Sequence, residues 1–167
     1  IRRPPRSTQG VSSAASDVYK RQTMSAAIEA GMEGIPAIGF SLLDYNWDAN
    51  FNPFKKYVKK ICSTVLKKGM KKGVVLNVNF PNTENNTIKG IKICQQAEAN
   101  WVEKFDKRQS PMGKDYYWLT GEFINYDKRK DTDEYALSKG YISIVPIQFD
   151  LTAHNYIDEL KNWKLND

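Results

Sequence analysis

The sequence predicts an α/β fold carrying a projecting β-hairpin. Three observations predict it. A continuous apolar run occurs at 35–43, and strand-like runs rich in β-branched residues occur at 73–81 and 141–151. Between the first two lies a segment of clear helical period. Two aromatic-rich runs then flank a turn within 101–126. The order helix, strand, helix, strand, strand suits a sheet carrying helices.

"TMSAAIEAG" reads as a short helix, capped by Thr23 and ended by Gly31. "IPAIGFSLL" (35–43) reads as a strand buried on both faces, as in a parallel sheet. A polar loop leads to Asn52, a candidate N-cap, and to Pro53 at the first helical position. Phe54, Tyr57, Val58, Ile61, Cys62, Val65 and Leu66 then recur as one apolar stripe. Lys55, Lys56, Lys59, Lys60, Lys67 and Lys68 lie off the stripe and read as a solvated face, and Gly69 closes the helix. "GVVLNVNFP" (73–81) is a second strand, stopped by Pro81 and an Asn-rich turn. "TIKGIKICQQ" (87–96) is a third, with Gly90 breaking its alternation. Residues 101–126 read as a long hairpin around "SPMG". A hairpin cannot bury both of its faces, so it packs on the body or meets another subunit. A charged loop with a short helix ending at Gly140, a strand at 141–151 and a weakly amphipathic C-terminal helix complete the chain.

The net charge of +6 is unevenly placed. Residues 1–22 hold five basic residues against Asp17 and so carry +4, leaving +2 for the rest. Without that segment the chain is nearly balanced, and no specific nucleic-acid partner is expected. The segment itself admits a transit peptide or a basic arm. Its text, "RRPPRST…SSAASDVYKRQ", resembles translated sequencing-adaptor read-through, so it is expected to be non-native and disordered. No apolar run is long enough to span a bilayer, and no membrane partner is expected. Cys62 and Cys94 form no metal-binding pattern with the single histidine, which suits reduced thiols and a cytoplasmic setting.

Few residues point to chemistry on their own. His154 has no nucleophile that the sequence singles out beside it, and reads as structural. "DTDE" (131–134) reads as a turn and helix cap rather than a cation site. The first turn of the first helix, with the hydroxyls of Thr23 and Ser25, suits a phosphate group. No catalytic residue and no metal ligand is assigned.

Several motifs nevertheless occur in a telling order. "TMSAAIEAGMEGIPAIGFSL", "LNVNFP", "GIKICQQAEANWVEKFDKRQSPMGKDYYWLTG" and "TDEYALSKGYISIVPIQFDLTAH" resemble, in register, signature segments of the SurE family of survival-protein-E nucleotidases. The resemblance runs from Thr23 to about Asn155. It implies a doubly wound, Rossmann-like sheet, and a parent enzyme that hydrolyses nucleoside 5'- and 3'-monophosphates with a divalent ion, magnesium or manganese. It implies that Thr23, and less directly Ser25, stand beside the phosphate, and that the 101–126 hairpin builds dimers or tetramers. Asp133 and His154 fall in family-like motifs and are expected in fold or interface roles.

The family's metal-binding "NDDG" and its "SGIN" motif do not occur in this sequence, and "YKRQT" stands where "YSGT" is usual. Residues 23–167 are therefore expected to be the C-terminal part of one such domain, inactive alone and binding no metal. The alternative is a non-catalytic oligomerisation or interaction module.

Overall fold

The computed structural model describes residues 22–44, 46–82, 87–163 and 165. The segment expected to be non-native lies outside the described residues except for Gln22, which stands in the first helix. In chain order the elements are α1 (Gln22–Met32), β1 (Ile38–Leu42), a 3-10 turn (Asn52–Phe54), α2 (Lys55–Lys68), β2 (Val74–Phe80), β3 (Ile91–Ile93), β4 (Ala99–Gln109), β5 (Asp115–Asn125), α3 (Asp133–Ser138), β6 (Ile142–Gln148), a second 3-10 turn (His154–Tyr156) and α4 (Ile157–Lys161). Strands pair in the order β1-β2-β6-β3, and β4-β5 form a separate two-stranded sheet.

The described residues of Ile1–Gly39, Pro53–Leu76 and Pro146–Asp167 form one compact unit. Its core is Ala27, Ala37 and Val75, with Met24, Ile28, Ala30 and Ile147 packed against them. Alanines on α1 suit a helix that must lie close to a strand, since they add little bulk. Gly31 does not end this helix, contrary to the sequence expectation. A Cβ there would stand 2.4 Å from Val75 Cγ1, so the missing side chain lets the helix approach β2. The helix stops instead at Gly34, whose φ of 79° is open to glycine. The N–H of Ile35 donates to Ala30 O and that of Gly34 to Gly31 O, the paired closure of a Schellman motif.

Helix α2 also starts differently from expectation. Asn52 and Pro53 form a 3-10 turn, and Phe54 precedes the α-helix without a side-chain cap. Phe54 and Ile61 are buried, whereas Leu66, assigned to the same stripe, is 83% exposed. Gly69 closes the helix as expected, its N–H donating to Val65 O at 2.8 Å.

The second unit comprises Phe40–Asn52 and Asn77–Val145. Here β3 runs parallel to β6, pairing Ile91 with Ile142 and Ile93 with Ile144. Only three of the ten residues at 87–96 form this strand, and Gly90, at φ 137°, marks its entry. Val78, Phe80, Cys94, Ala136, Leu137, Ile142 and Val145 are buried in this unit. The Phe40 and Phe80 rings stack at 5.9 Å. Among the described strands β1 lies at the sheet edge, and only Gly39 in it is buried, so it is less covered than its apolar run suggested. An edge strand lacks a neighbour on one side, which the local sequence cannot signal.

The hairpin matches its expected place and extends slightly past it. β4 and β5 pair antiparallel from Ala99–Asn125 to Gln109–Asp115, closed by residues 110–114 with Gly113 at φ 73°.

Candidate functional site

Thr23 and Ser25 both lie in the first turn of α1 and are exposed. They do not share a face. Two residues of helix turn through about 200°, so their side chains diverge. Thr23 is the one turned toward the sheet. A Cβ on Gly39 would lie 3.5 Å from its Cγ2 and 2.5 Å from Met24 Sδ. β1 therefore passes directly beneath this turn, and glycine at position 39 allows it. The contact joins residues 15 or more positions apart, and the only sequence sign was an isolated glycine inside an apolar run.

The Asp131 and Asp133 carboxylates of "DTDE" are spent on the fold. Asp131 Oδ2 accepts a 2.7 Å bond from Gln95 Nε2. Asp133 Oδ1 accepts from the N–H of Ala97 and of Glu134, both at 2.9 Å. Thr132 is fully buried, and its Oγ1 accepts the Tyr135 N–H at the start of α3. Burial, with Asp133 beside it, pushes the Glu134 carboxyl up. Burial likewise raises the Cys94 thiol, with Asp133 adding to it, so the thiolate needed for metal or redox chemistry is disfavoured. Among the described residues no three His, Cys, Asp or Glu side chains converge as a metal cage would require.

His154 is exposed, and its Nε2 meets Asp150 Oδ2 at 2.7 Å. Hydrogen bonds from Thr152, and then the His154 contact, hold the Asp150 carboxyl well below the usual carboxylate range. The pair orders the turn after β6, and no nucleophile stands in this contact. Asp127 ties down the hairpin base. Its carboxylate accepts from the Arg129 guanidinium and from the N–H of Glu98, and the Arg129 bonds hold its pKa well below normal.

The hairpin has two different faces. The register puts Trp101, Phe105, Tyr117, Leu119 and Phe123 on one side, together with Glu103 and the Lys107–Asp115 ion pair. All five are exposed, Phe105 at 71%. Gly121 lies on this side too, and a Cβ there would stand 2.0 Å from Trp101 Nε1, so the indole rests on the glycine. The other side mixes Lys104, Asp106, Arg108, Thr120 and Glu122 with Val102, Tyr116 and Trp118. The aromatic runs were visible in sequence. Their sorting needed the strand register.

Comparison with known proteins is consistent with these elements. The family model described as Survival protein SurE matches residues 10–103, a span that contains Thr23, Ser25 and Gly39. A protein named 5'-nucleotidase SurE from Flavobacterium psychrophilum is 67% identical over 144 residues, covering 86% of this chain and 56% of that protein. One of the same name from Christiangramia forsetii is 56% identical over 169 residues, covering 99% of this chain and 65% of that protein. The crystal structure of the SurE protein from Aquifex aeolicus superposes with a TM-score of 0.70 at 33% identity, covering 88% of this chain and 59% of that one. The chain thus spans between 56% and 65% of the length of these relatives.

Proposed function

Because the chain belongs to the SurE family, we propose that it is the phosphate-holding and subunit-contacting part of a phosphomonoester hydrolase acting on nucleoside 5'- or 3'-monophosphates. The observation that carries this reading is the family match across the first turn of α1, where Thr23 sits above Gly39. The Thr23 hydroxyl and the positive end of α1 hold the phosphate. Ser25, turned away from Thr23, contributes less.

A divalent ion, magnesium or manganese, would supply Lewis-acid polarisation of the phosphoryl group in the whole enzyme. The described residues of this chain do not fit such an ion. Asp131 and Asp133 already accept hydrogen bonds from Gln95, Ala97 and the Glu134 N–H. No catalytic step is assigned to them, and this chain by itself is inactive. No described helix is long and apolar enough to cross a membrane. A cytoplasmic setting suits the reading.

The test is titration of the full chain with AMP and with adenosine, alongside a manganese-dependent phosphate-release assay. AMP binds, and Thr23→Val weakens it about tenfold or more, the worth of one hydrogen bond to a charged group. No phosphate is released above the blank. Equal affinity for adenosine and AMP would remove the phosphate role. Phosphate release abolished by EDTA would refute inactivity.

The exposed aromatic residues of the hairpin, Trp101, Phe105, Tyr117 and Phe123 with Leu119, support a second element of the proposal, pairing with another copy of the chain into a dimer or tetramer. Sedimentation shows the oligomer, and Phe105→Ser with Leu119→Ser dissociates it. A monomer at high concentration before substitution refutes this element. An oligomer in a chain that binds no AMP would instead favour a non-catalytic interaction module.

A further inference from the structure

Helix α2 and the turn after it carry Lys55, Lys56, Lys59, Lys60, Lys67, Lys68, Lys71 and Lys72, with no Asp or Glu from 55 to 72. All eight are exposed. Among the described residues none of them forms an ion pair, and Lys56 only lies over the Tyr57 ring, 5.0 Å from its centre. A helix face that merely meets water usually interleaves both signs one turn apart. Here Lys55 and Lys59 repel each other, as do Lys56 and Lys60. Lys55 and Lys56 also stand in the first turn, where the helix dipole disfavours cations.

Helical geometry sorts these charges. At 3.6 residues per turn, Lys55, Lys56, Lys59, Lys60 and Lys67 fall within an arc of about 140°, opposite the buried Phe54 and Ile61. Lys56, the Lys59–Lys60 pair and, about two turns further on past Ser63, Lys67 climb this arc over about 16 Å. The small Ser63 leaves the middle of the row open.

We propose that this lysine row binds the phosphodiester backbone of a single-stranded nucleic acid without reading its sequence. A flexible strand with one charge per nucleotide can follow lysines spaced one to two turns apart. Inorganic polyphosphate carries its charges more closely than these lysines. The one exposed apolar residue in the arc, Leu66 at its edge, offers too little area to seat the helix on lipid. The proposal does not depend on the nucleotidase reading, since the row uses neither Thr23 nor the hairpin.

The test is anisotropy of a labelled oligothymidylate titrated with the full chain at several salt concentrations. Four lysine contacts give a slope of log affinity against log salt near −3, a loss of about 50-fold between about 50 and 200 mM salt. Lys56→Gln, Lys59→Gln, Lys60→Gln and Lys67→Gln together abolish that slope. A control with Lys104→Gln, Lys114→Gln, Lys128→Gln and Lys130→Gln removes equal charge elsewhere and keeps it. Equal loss in the control would mean that net charge alone is responsible, and would overturn the proposal. So would absence of binding at low salt, or saturation by inorganic polyphosphate without binding of the oligonucleotide. If the row variant does not fold, acetylation of the unsubstituted chain decides. The oligonucleotide protects Lys56, Lys59, Lys60 and Lys67 but not Lys104, and uniform protection overturns the proposal.

Discussion

Gly31→Ala separates two roles for a helical glycine. In an open helix position the change would stabilise by about 0.8–1.0 kcal/mol through propensity. In this structure the new methyl would stand 2.4 Å from Val75 Cγ1 and 3.4 Å from Phe149 Cε1. Val75 is fully buried and β-branched, so it has few rotamers into which to retreat. The overpacking cost therefore falls in the upper part of the usual range of about 1–3 kcal/mol. Against the propensity gain, the net loss is about 1–2 kcal/mol. At about 2–4 °C per kcal/mol for a chain of this size, the Tm falls by roughly 2–8 °C. Urea and thermal melts of Gly31→Ala in two backgrounds read this directly. In a Val75→Ala background the clash partner is gone, and the same substitution becomes stabilising by about 1 kcal/mol. A rise in Tm for the single variant, or no sign reversal in the second background, would refute the close approach of α1 to β2.

Two further perturbations test the second unit. Asp127→Asn speeds amide exchange at Glu98 and Arg129 near neutral pH, because the charged acceptor of both N–H groups is lost. Its folded pKa is depressed, so the stabilisation it supplies is fully present above the unfolded value of about 3.9 and fades as pH falls below it. The difference between wild type and variant should hold from neutral pH down to about pH 4 and shrink below it, and unchanged exchange refutes the clip. Ser143→Ala removes a fully buried hydroxyl that has no hydrogen-bond partner among the described residues. It should leave stability unchanged or raise it by up to about 1 kcal/mol in a urea melt, and a loss larger than that would show a missing partner.

The sequence by itself determined the elements whose signals are local. The stripe from Phe54 to Val65 specified α2, and Gly69 ended it because left-handed backbone there favours glycine. "SPMG" between two aromatic runs located the hairpin. Ordered motifs through residues 23–155 gave the family, and with it the interest of Thr23. Whatever depended on segments distant in the chain was decided by the tertiary structure. Gly31 read as a helix ending and Gly39 as one more residue of an apolar strand, yet each marks a backbone pressed against a neighbour. Leu66 continues the i+4 series of the stripe, but by that point the helix has turned it to the edge of the lysine face, and it is exposed. β1 read as covered on both faces, yet among its residues only Gly39 is buried. The sorting of the hairpin's side chains emerged only with its register, because a shift of one residue exchanges the two faces. Periodicity reports which residues share a face. Burial is set by what that face meets, and that partner lies elsewhere in the chain.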